Sequence, residues 1–377
     1  MPNNFLLVLL VCLRRYQLFL ARLTKTSIRR PTARQRCIDA PCMHKHLLAM
    51  AAAVQARAYH IGAPGSKWGP AELSKWRAER IKSRSYDDDV VKVLDSLRDE
   101  YDVIEYGTLA YDGVSHKLYA AKSKDWNNRP KVLVTGGVHG YETSGVHGAL
   151  RLLQTKCKDY AERGLDILVA PCVSPWGYEH VQRWNYDAVD PNRSFKRNDP
   201  DACGSQEARA LVNLVKNHGS DGWACHIDLH ETTDTDESEF QPAKAARDGD
   251  VYEEGTIPDG FYLCGDEKNP RLEFQRAVIK GVSEVTHIAP ADPDGTIIGS
   301  PVVADGVILY DYTALGLCGG VTDAPLTTTT EVYPDSEKAT AEECNKAQVE
   351  SVLSALDFLL AERSWGPAVK ALGGGMP

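Results

Sequence analysis

Hydrophobic residues follow two alternating spacings along most of the chain. Short apolar or β-branched runs, typical of strands, alternate with stretches in which apolar residues return every three or four positions, as on one face of a helix. Eight runs are predicted strands, at residues 103–106, 118–121, 132–135, 167–170, 224–229, 261–263, 307–310 and 328–332. Eight strands alternating with helices predict an α/β fold with a mixed, mostly parallel eight-stranded sheet between helical layers.

Capping residues support several of the predicted helices. Ser205 precedes one apolar helical face, and Thr340 with Glu343 forms a capping box at the start of the last helix. Another helix is predicted at 143–153, although two internal glycines lower its intrinsic stability. The sequence contains no internal repeat.

An imidazole and a carboxylate follow the predicted strand at 132–135. His139 and Glu142 lie three residues apart in a Gly-rich loop, at the rim of a sheet where parallel α/β proteins place their chemistry. Two His and one Glu form a common catalytic zinc set with an open fourth position. A loop histidine beside a solvated glutamate is the alternative interpretation of this motif alone.

Two histidines on the predicted strand at 224–229 are candidates for the third ligand. His230 ends the apolar run, and His226 lies four residues earlier. Period-2 alternation places both on one face, with His226 about 13 Å further back along the strand. We therefore expect His230 to be the ligand and His226 to be a core histidine or a neighbour of the ligands.

Two further segments carry functional groups near strand ends. Residues 183–195 offer two arginines and an amide, and Arg is the side chain that binds a carboxylate in bidentate fashion. A simple Asp-Pro turn with solvated arginines would also fit this segment. Glu331 lies near the end of a β-branched run, and a buried Glu is rare unless it is paired or functional.

Five motifs occur in an order that resembles a known family. His139-x-x-Glu142, Arg183, Asp190-x-Asn192-Arg193, Asp-Leu-His230 and Thr-x-Glu331 resemble the motifs of the zinc metallocarboxypeptidases of family M14. Asp-Leu-His-x-Thr-Thr and Asp-x-Asn-Arg-x-Phe also resemble the aspartoacylase and succinylglutamate desuccinylase branch. The resemblance covers roughly residues 100–360.

The resemblance implies a zinc carboxypeptidase-like fold and one Zn²⁺ per chain, bound by His139, Glu142 and His230. It assigns the other roles to five residues: Asp190 holds the ring of His139, Asn192 and Arg193 bind the substrate's terminal carboxylate, Arg183 polarises the scissile carbonyl, and Glu331 is the general base.

The activity that the resemblance implies is hydrolysis of an amide bond next to a free C-terminal carboxylate. Zinc would activate a water molecule and a Glu would accept its proton. The substrate would be a peptide or an N-acyl amino acid. Two alternatives are a deacylase of small N-acyl amino acids and an inactive protein that binds peptide C-termini. The complete set of ligands and base favours an enzyme, and the chain has no Gly-x-Ser-x-Gly or Walker motif.

Charge is distributed unevenly along the 377 residues. The total is −9, but residues 1–58 carry a net +9, which leaves −18 for the remainder. An acidic body argues against nucleic-acid binding. We predict a basic N-terminal leader at 1–58, a zinc carboxypeptidase-like catalytic domain at 59–365 and a flexible C-terminal end at 366–377.

The leader has the composition of a targeting segment. Its nine-residue apolar run at 5–13 is too short to span a bilayer. Residues 14–36 are rich in Arg, Ser and Thr and contain no acid, which is typical of a transit peptide. Mitochondrial localisation is therefore the expectation. A cytoplasmic enzyme is the main alternative and secretion a weaker one, because the ten cysteines show no disulfide-framework spacing.

Two other groups remain open from sequence alone. The acidic stretch at 234–239 could attract a basic substrate or a second metal, but we expect a solvated loop because charge runs usually face water. Tyr310 and Tyr312 lie about twenty residues before Glu331, where the resembled family keeps a mobile tyrosine; either could equally be a core residue.

Overall fold

A computed structural model describes residues 59–127 and 129–364, without the side chains of 363 and 364. The predicted leader at 1–58, its targeting role and the predicted C-terminal end at 366–377 lie outside these residues. The predictions for those segments therefore remain predictions.

All eight predicted strands form, most of them longer at one or both ends than predicted. They are β1 Tyr101–Tyr111, β2 Val114–Ser123, β3 Lys131–Gly136, β4 Asp166–Ala170, β5 Cys225–Glu231, β6 Tyr262–Asp266, β9 Val307–Tyr310 and β10 Leu326–Val332. A two-stranded hairpin of β7 Thr296–Ile297 and β8 Ser300–Pro301 was not predicted.

The eight strands form one sheet in the order β1-β2-β4-β3-β5-β10-β6-β9 within the described residues. β4, β3, β5 and β10 are mutually parallel, β9 is parallel to β6, and β6 runs antiparallel to β10. The register between β5 and β10 places Glu331 directly beside His230. The predicted mixed, mostly parallel sheet is confirmed.

Ten α-helices are found in the described residues: α1 Pro70–Ala78, α2 Lys92–Ser96, α3 Thr143–Thr155, α4 Cys157–Glu162, α5 Pro175–His180, α6 Gln206–His218, α7 Gln241–Asp248, α8 Leu272–Val282, α9 Tyr312–Leu315 and α10 Ala341–Ser364. The predicted caps are present. Ser205 accepts the amide of Ala208, and Thr340 and Glu343 form the reciprocal pair of hydrogen bonds of a capping box.

Helices cover both faces of the sheet, as predicted. The apolar sides of α3, α8 and α10 pack on one face, against side chains such as Ile227, Leu229 and Val332. The apolar side of α6 packs on the opposite face together with Leu133 and Leu168. None of the helices in the described part of the chain has the length and hydrophobicity needed to cross a membrane.

Candidate active site

Most ionisable side chains of β5 and β10 lie on one face of the sheet, and Glu231, the last residue of β5, lies on the other. On β5, His226, Asp228 and His230 alternate with three apolar residues that belong to the core on the other side. On β10, Thr329 and Glu331 are the register partners of Asp228 and His230. The sequence pattern therefore places five polar groups together at one edge of the sheet, where β5 and β10 both end.

His139, Glu142 and His230 converge on one point. Their ligand atoms all lie within 4.8 Å of one another, and all three residues are buried. Nδ1 of His139 is 2.6 Å from Oε1 of Glu142, and Nδ1 of His230 is 2.7 Å from Oε2. The structure thus brings together the three predicted ligands, and it leaves His226 outside the group.

The loop between β3 and α3 holds the first two ligands in place by close backbone packing. A Cβ atom at Gly140 would lie 1.8 Å from the carbonyl carbon of Gly177 at the start of α5, so no other residue fits there without a shift of the backbone. His139 and Glu142, on either side of Gly140, are therefore fixed against a neighbouring loop rather than free to move.

The other ring nitrogens of both histidines contact carboxylates. Nε2 of His139 is 3.0 Å from Asp190, and Nε2 of His230 is 2.9 Å from Asp228. Such carboxylate partners fix the ring orientation and tautomer of metal-binding histidines. They leave both Nδ1 atoms directed at Glu142. Asp190 therefore holds the place that the sequence predicted, whereas the equivalent partner Asp228 was not predicted.

The charges of the site are strongly coupled. Burial would raise the pKa of Glu142, but the two imidazoles hold that pKa below its ordinary value. Burial would lower the pKa of His230, but Glu142 and Asp228 raise it well above the ordinary range. A carboxylate and two imidazoles that attract one another in a buried pocket form a donor set of two nitrogens and one oxygen, which fits Zn²⁺.

A second group of potential ligands does not form a metal site. His226, Asp228 and Cys318 are close enough to one another to share an ion. However, the hydroxyl of Thr135 lies among them, 3.0 Å from His226 Nε2 and 2.6 Å from Asp228 Oδ1, with Cys318 Sγ at 3.7 Å. The hydroxyl occupies the centre of the group, so His226 is the core histidine that the sequence predicted.

Arg183 borders the site and is held by acidic partners. Its Nε donates to Asp190 at 3.1 Å, and its Nη1 donates to Tyr141 Oη at 3.1 Å and to Asp236 at 3.2 Å. Burial would lower its pKa, but these neighbours raise it well above the ordinary value. Asp190 thus links His139 to Arg183, and the guanidinium keeps its positive charge beside the metal ligands.

Asn192 and Arg193 form a short 3₁₀ turn after Asp190. The side-chain oxygen of Asn192 accepts the amide of Cys318 at 2.7 Å. Its nitrogen lies 3.3 Å from Nε2 of His230, and this ring nitrogen cannot accept a hydrogen bond while it donates its own proton to Asp228. The amide NH₂ is thus directed into the site. Arg193 is exposed and lines the same cavity.

Glu331 is half-buried at the end of β10 and faces the same cavity. Its Oε2 accepts a hydrogen bond from Thr232 at 3.0 Å, and the Thr232 hydroxyl also contacts Tyr262. Burial, with the nearby charge of Glu142, raises the pKa of Glu331 to about 8 despite the opposing effect of His230. A carboxyl group with a pKa near the working pH suits a group that accepts and returns a proton.

One open cavity of about 1330 Å³ connects these groups. Its lining includes His139, Arg183, Asn192, Arg193 and Glu331. All eight predicted site residues therefore lie in or directly around one cleft. Asp190 also lines the cleft, and the two remaining residues, Glu142 and His230, contact the lining residues His139 and Asn192 respectively.

The acidic stretch at 234–239 is not the solvated loop that the sequence predicted. It contains a π-helical turn, Asp236–Phe240, and its side chains have specific partners. Asp236 accepts from Arg183 and from Tyr141, and Glu239 accepts from Arg80 and from Tyr59. These partners lie far away in sequence, so no local pattern marks the stretch as structural.

The two tyrosines before Glu331 have different environments. Tyr312 is fully buried and its hydroxyl donates to the carbonyl of Cys264, as expected of a core residue. Tyr310 is half-buried and lines the cleft. Of the two, Tyr310 is therefore the one that a substrate in the cleft could touch.

Comparison with known proteins agrees with this site. Residues 128–253 match the succinylglutamate desuccinylase/aspartoacylase catalytic domain. The matched segment contains the three candidate metal ligands and ends before Glu331. No curated protein is detectably similar to the chain in sequence.

Several solved structures share the fold. A protein of Shewanella amazonensis assigned as a metallopeptidase is 16% identical, with 74% of this chain and 99% of that chain covered and a TM-score of 0.53. A Shewanella baltica protein with the same assignment is 17% identical, with 74% and 98% covered and a TM-score of 0.52. A Shewanella denitrificans protein assigned as a carboxypeptidase A is 16% identical, with 73% and 69% covered and a TM-score of 0.50.

The fold is therefore that of the metallocarboxypeptidases. The matched segment is similar to the catalytic domain of the desuccinylase and aspartoacylase branch, the branch whose motif wording the sequence also contains. The resemblance found in the sequence is confirmed at this level.

Proposed function

We propose that the protein is a zinc-dependent carboxypeptidase that hydrolyses the amide bond next to the free C-terminal carboxylate of a peptide. The observation that carries this proposal is the open cleft of about 1330 Å³, which joins the candidate metal ligands, Glu331 and Arg193. Pockets for small ligands usually measure about 300–1,000 Å³. The larger cleft has room for several residues of a peptide.

The chain's own residues would divide the chemistry between them. Glu331 accepts a proton from the attacking water as the bond from the water oxygen to the carbonyl carbon forms. It then gives the proton to the amide nitrogen as the carbon–nitrogen bond breaks. The second proton of the water passes from the new carboxyl group to the leaving amine, so the products are a carboxylate and a protonated amine, and Glu331 returns to its starting state.

Positive charge would stabilise the oxygen of the scissile carbonyl as negative charge develops on it. A Zn²⁺ held by His139, Glu142 and His230 supplies a Lewis acid and lowers the pKa of water at the site. The guanidinium of Arg183, fixed by Asp190 and Asp236, adds a second positive charge beside it. A single pre-oriented donor of this kind is worth roughly 3–4 kcal/mol of the barrier.

Arg193 would bind the terminal carboxylate and so set the register of the substrate. Its Nη1 donates to the carbonyl of Asn192 at 2.7 Å, which orients the guanidinium. With the NH₂ of Asn192 beside it, the pair provides charge-assisted hydrogen bonds to a carboxylate. Water would solvate an amidated terminus better than this pair could bind it.

The residues between Arg193 and Glu331 would select the side chain of the terminal residue. Cys264 and Tyr310 both lie within electrostatic reach of Arg193 and Glu331, and Thr329, Leu315 and Leu317 complete this part of the lining. All five are uncharged. A charged terminal side chain would lose its hydration there without gaining an ion partner, so we expect uncharged terminal residues.

A deacylase that acts on small N-acyl amino acids is the second candidate. The match of residues 128–253 to the desuccinylase/aspartoacylase catalytic domain favours it. Both activities need the same metal ligands, base and carboxylate-binding residues, and only the size and charge of the preferred substrate differ.

A substrate panel tests the proposal. The zinc-loaded protein is assayed on N-blocked tripeptides that end in Leu, Phe, Lys or Asp, on the same peptides with amidated ends, and on N-acetyl and N-succinyl amino acids. We expect cleavage of free-ended peptides with uncharged terminal residues, and a loss of kcat/KM of at least about 100-fold on amidation.

Faster turnover of an N-acetyl or N-succinyl amino acid than of any peptide would establish the deacylase instead. Equal cleavage of free and amidated peptides would exclude both candidates, because neither would then use Arg193.

A further inference from the structure

Two buried glutamines tie the central strands to the helices on the apolar side of the sheet. Gln275 on α8 and Gln348 on α10 are both fully buried. Gln275 donates to the carbonyl of Thr327 at 2.9 Å and accepts from the hydroxyl of Thr328 at 2.7 Å. Both of these hydrogen bonds go to β10.

Gln348 makes the same types of bond at a different place. It donates to the carbonyl of His230 at 2.8 Å and accepts from the hydroxyl of Thr330 at 2.6 Å. Its NH₂ group also lies 3.3 Å from the hydroxyl of Ser144. The side chain of Gln348 thus has polar contacts with three separate elements, whereas the two hydrogen bonds of Gln275 both go to one strand.

Each of these contacts lies next to a residue of the candidate active site. Ser144 is two residues after Glu142, His230 is itself a candidate ligand, and Thr330 directly precedes Glu331. One amide therefore joins the start of α3, the end of β5 and the end of β10. The three elements are distant in sequence. These hydrogen bonds form without a bound metal ion or substrate.

The helix that faces Gln348 is shaped to admit it. A Cβ atom at Gly148, one turn after Ser144, would lie 2.5 Å from the Cβ of Gln348. Glycine is less favourable than alanine in a helix interior. In α3 that cost allows α10 to approach closely enough for the glutamine to reach three elements at once.

We propose that Gln348 is a positioning residue that fixes the relative positions of the metal ligands and Glu331. It acts through the backbone of His230 and through Ser144 and Thr330, and it touches neither metal nor substrate. Metal sites are sensitive to such support, because removal of a partner behind the ligands typically lowers metal affinity by about 10–100-fold. The inference rests on the metal site of the proposed function.

Gln275 provides the matched control. Gln348→Met and Gln275→Met both keep the approximate volume, remove a buried amide and leave one threonine hydroxyl and one carbonyl without their partner. Gln348→Met also removes the contact with the Ser144 hydroxyl. We expect similar losses of stability in urea unfolding. We expect only Gln348→Met to weaken Zn²⁺ binding, by about 10-fold or more in competition with a chelator, and to alter the visible absorption spectrum of the Co²⁺-substituted protein.

A second pair of substitutions, each removing only one hydrogen bond, tests the same inference if the methionine variants do not fold. Thr330→Val removes one of the bonds to Gln348, and Thr328→Val removes the corresponding bond to Gln275. We expect Thr330→Val to weaken Zn²⁺ binding and alter the Co²⁺ spectrum, and Thr328→Val to do neither, with smaller changes than in the methionine variants. Equal effects of the two members on metal affinity and on the Co²⁺ spectrum, or no effect from either, would show that Gln348 has only a structural role.

The readouts need no substrate, so this inference and the proposed function can fail separately. A parent protein that binds Zn²⁺ and shows the expected difference between the Gln348 and Gln275 variants, but cleaves no peptide, would support Gln348 and overturn the carboxypeptidase. Peptide cleavage with no difference between the Gln348 and Gln275 variants in Zn²⁺ binding would support the carboxypeptidase and overturn the role of Gln348. A parent that binds no Zn²⁺ would overturn both.

Discussion

The two faces of β5 differ in chemistry over most of their length. One face carries Cys225, Ile227 and Leu229, which belong to the apolar core beneath α3 and α10, and it ends at Glu231, which accepts the backbone amides of Thr143 and Ser144. The other carries two histidines and an aspartate, equally buried. The difference lies in partners: each polar group has a hydrogen-bond partner within reach, and the apolar groups have only packing.

The comparison shows that burial alone does not separate the core from the site. Polar groups can be buried when they are hydrogen-bonded, and charges when they are paired. On the site face the carboxylates and imidazoles satisfy one another around a point that fits a metal. On the core face stability depends on packed volume. The two faces should therefore respond differently to substitution, in metal binding and activity on one side and in stability on the other.

The largest effect is expected from the candidate ligand His230. His230→Ala should reduce bound zinc from about one per chain to a small fraction and abolish hydrolysis, because it removes one of three protein ligands. His226→Ala, four residues earlier on the same face, should keep about one zinc, since its partner is the Thr135 hydroxyl. Elemental analysis of both purified variants gives the answer, and equal losses would contradict this choice of ligand.

The base should separate chemistry from metal binding on the site face. Glu331→Gln should lower kcat by about 10²–10⁴ with little change in KM or in bound zinc, because proton transfer occurs only on the way to the transition state. Steady-state kinetics with zinc analysis measure this. The exposed Glu337→Gln is the control. Loss of zinc in Glu331→Gln would mean that the residue is a ligand instead.

The core face should lose stability and keep its chemistry. Leu229→Ala, between Asp228 and His230, should lower the free energy of unfolding by about 2–5 kcal/mol because it leaves a cavity in a packed core. Leu229→Met should cost less than about 1.5 kcal/mol. Urea unfolding measures both, and the folded fraction should still bind one zinc. If it does not, the two faces are not independent.

Glu179 is a buried carboxylate on neither face of β5, and its charge has a structural role that can be compared with the charges of the site. Glu179 on α5 accepts the amide of Tyr86 and pairs with Lys82 and His116. Burial would raise its pKa, but these partners lower it from 4.5 to about 2. Its contribution to stability, at most about 3 kcal/mol, should be complete above pH 4.5 and lost as the pH falls towards 2.

The test compares Glu179→Gln with the parent protein across that pH range. The difference in unfolding free energy should be largest at pH 6–7 and should shrink steadily between pH 4.5 and 2.5. Hydrolysis by the folded variant should be unchanged. Exposed Glu162→Gln serves as the control, and a difference that does not depend on pH would show that lost packing, not charge, is the cause.

Most of the fold could be predicted because its signals are local. The strands of the sheet appear as short apolar runs, and Ser205 and Thr340 mark helix starts through bonds within three residues. The hairpin of β7 and β8 was missed because each strand has only two residues. Gly148 lowered the predicted stability of α3 in the sequence, although its lack of a side chain allows α10 to pack closely against α3.

The candidate site was predictable as far as its motifs reach. His139, Glu142 and His230 converge as expected because each follows a strand at the same edge of the sheet. The supporting groups were not visible. Asp236 and Gln348 contact the site from segments with no motif, and their meaning depends on partners about 50 to 200 residues away.

The position of β10 has a consequence for when activity arises during folding. β10 is the last strand of the described residues but lies inside the sheet, between β5 and β6. The candidate metal ligands all precede it, and the proposed base, Glu331 on β10, is about one hundred residues after His230. Long-range parallel pairing is slow to form. During synthesis, therefore, the candidate ligands emerge well before the proposed base, and a chain whose last strand has not yet entered the sheet would lack the complete site.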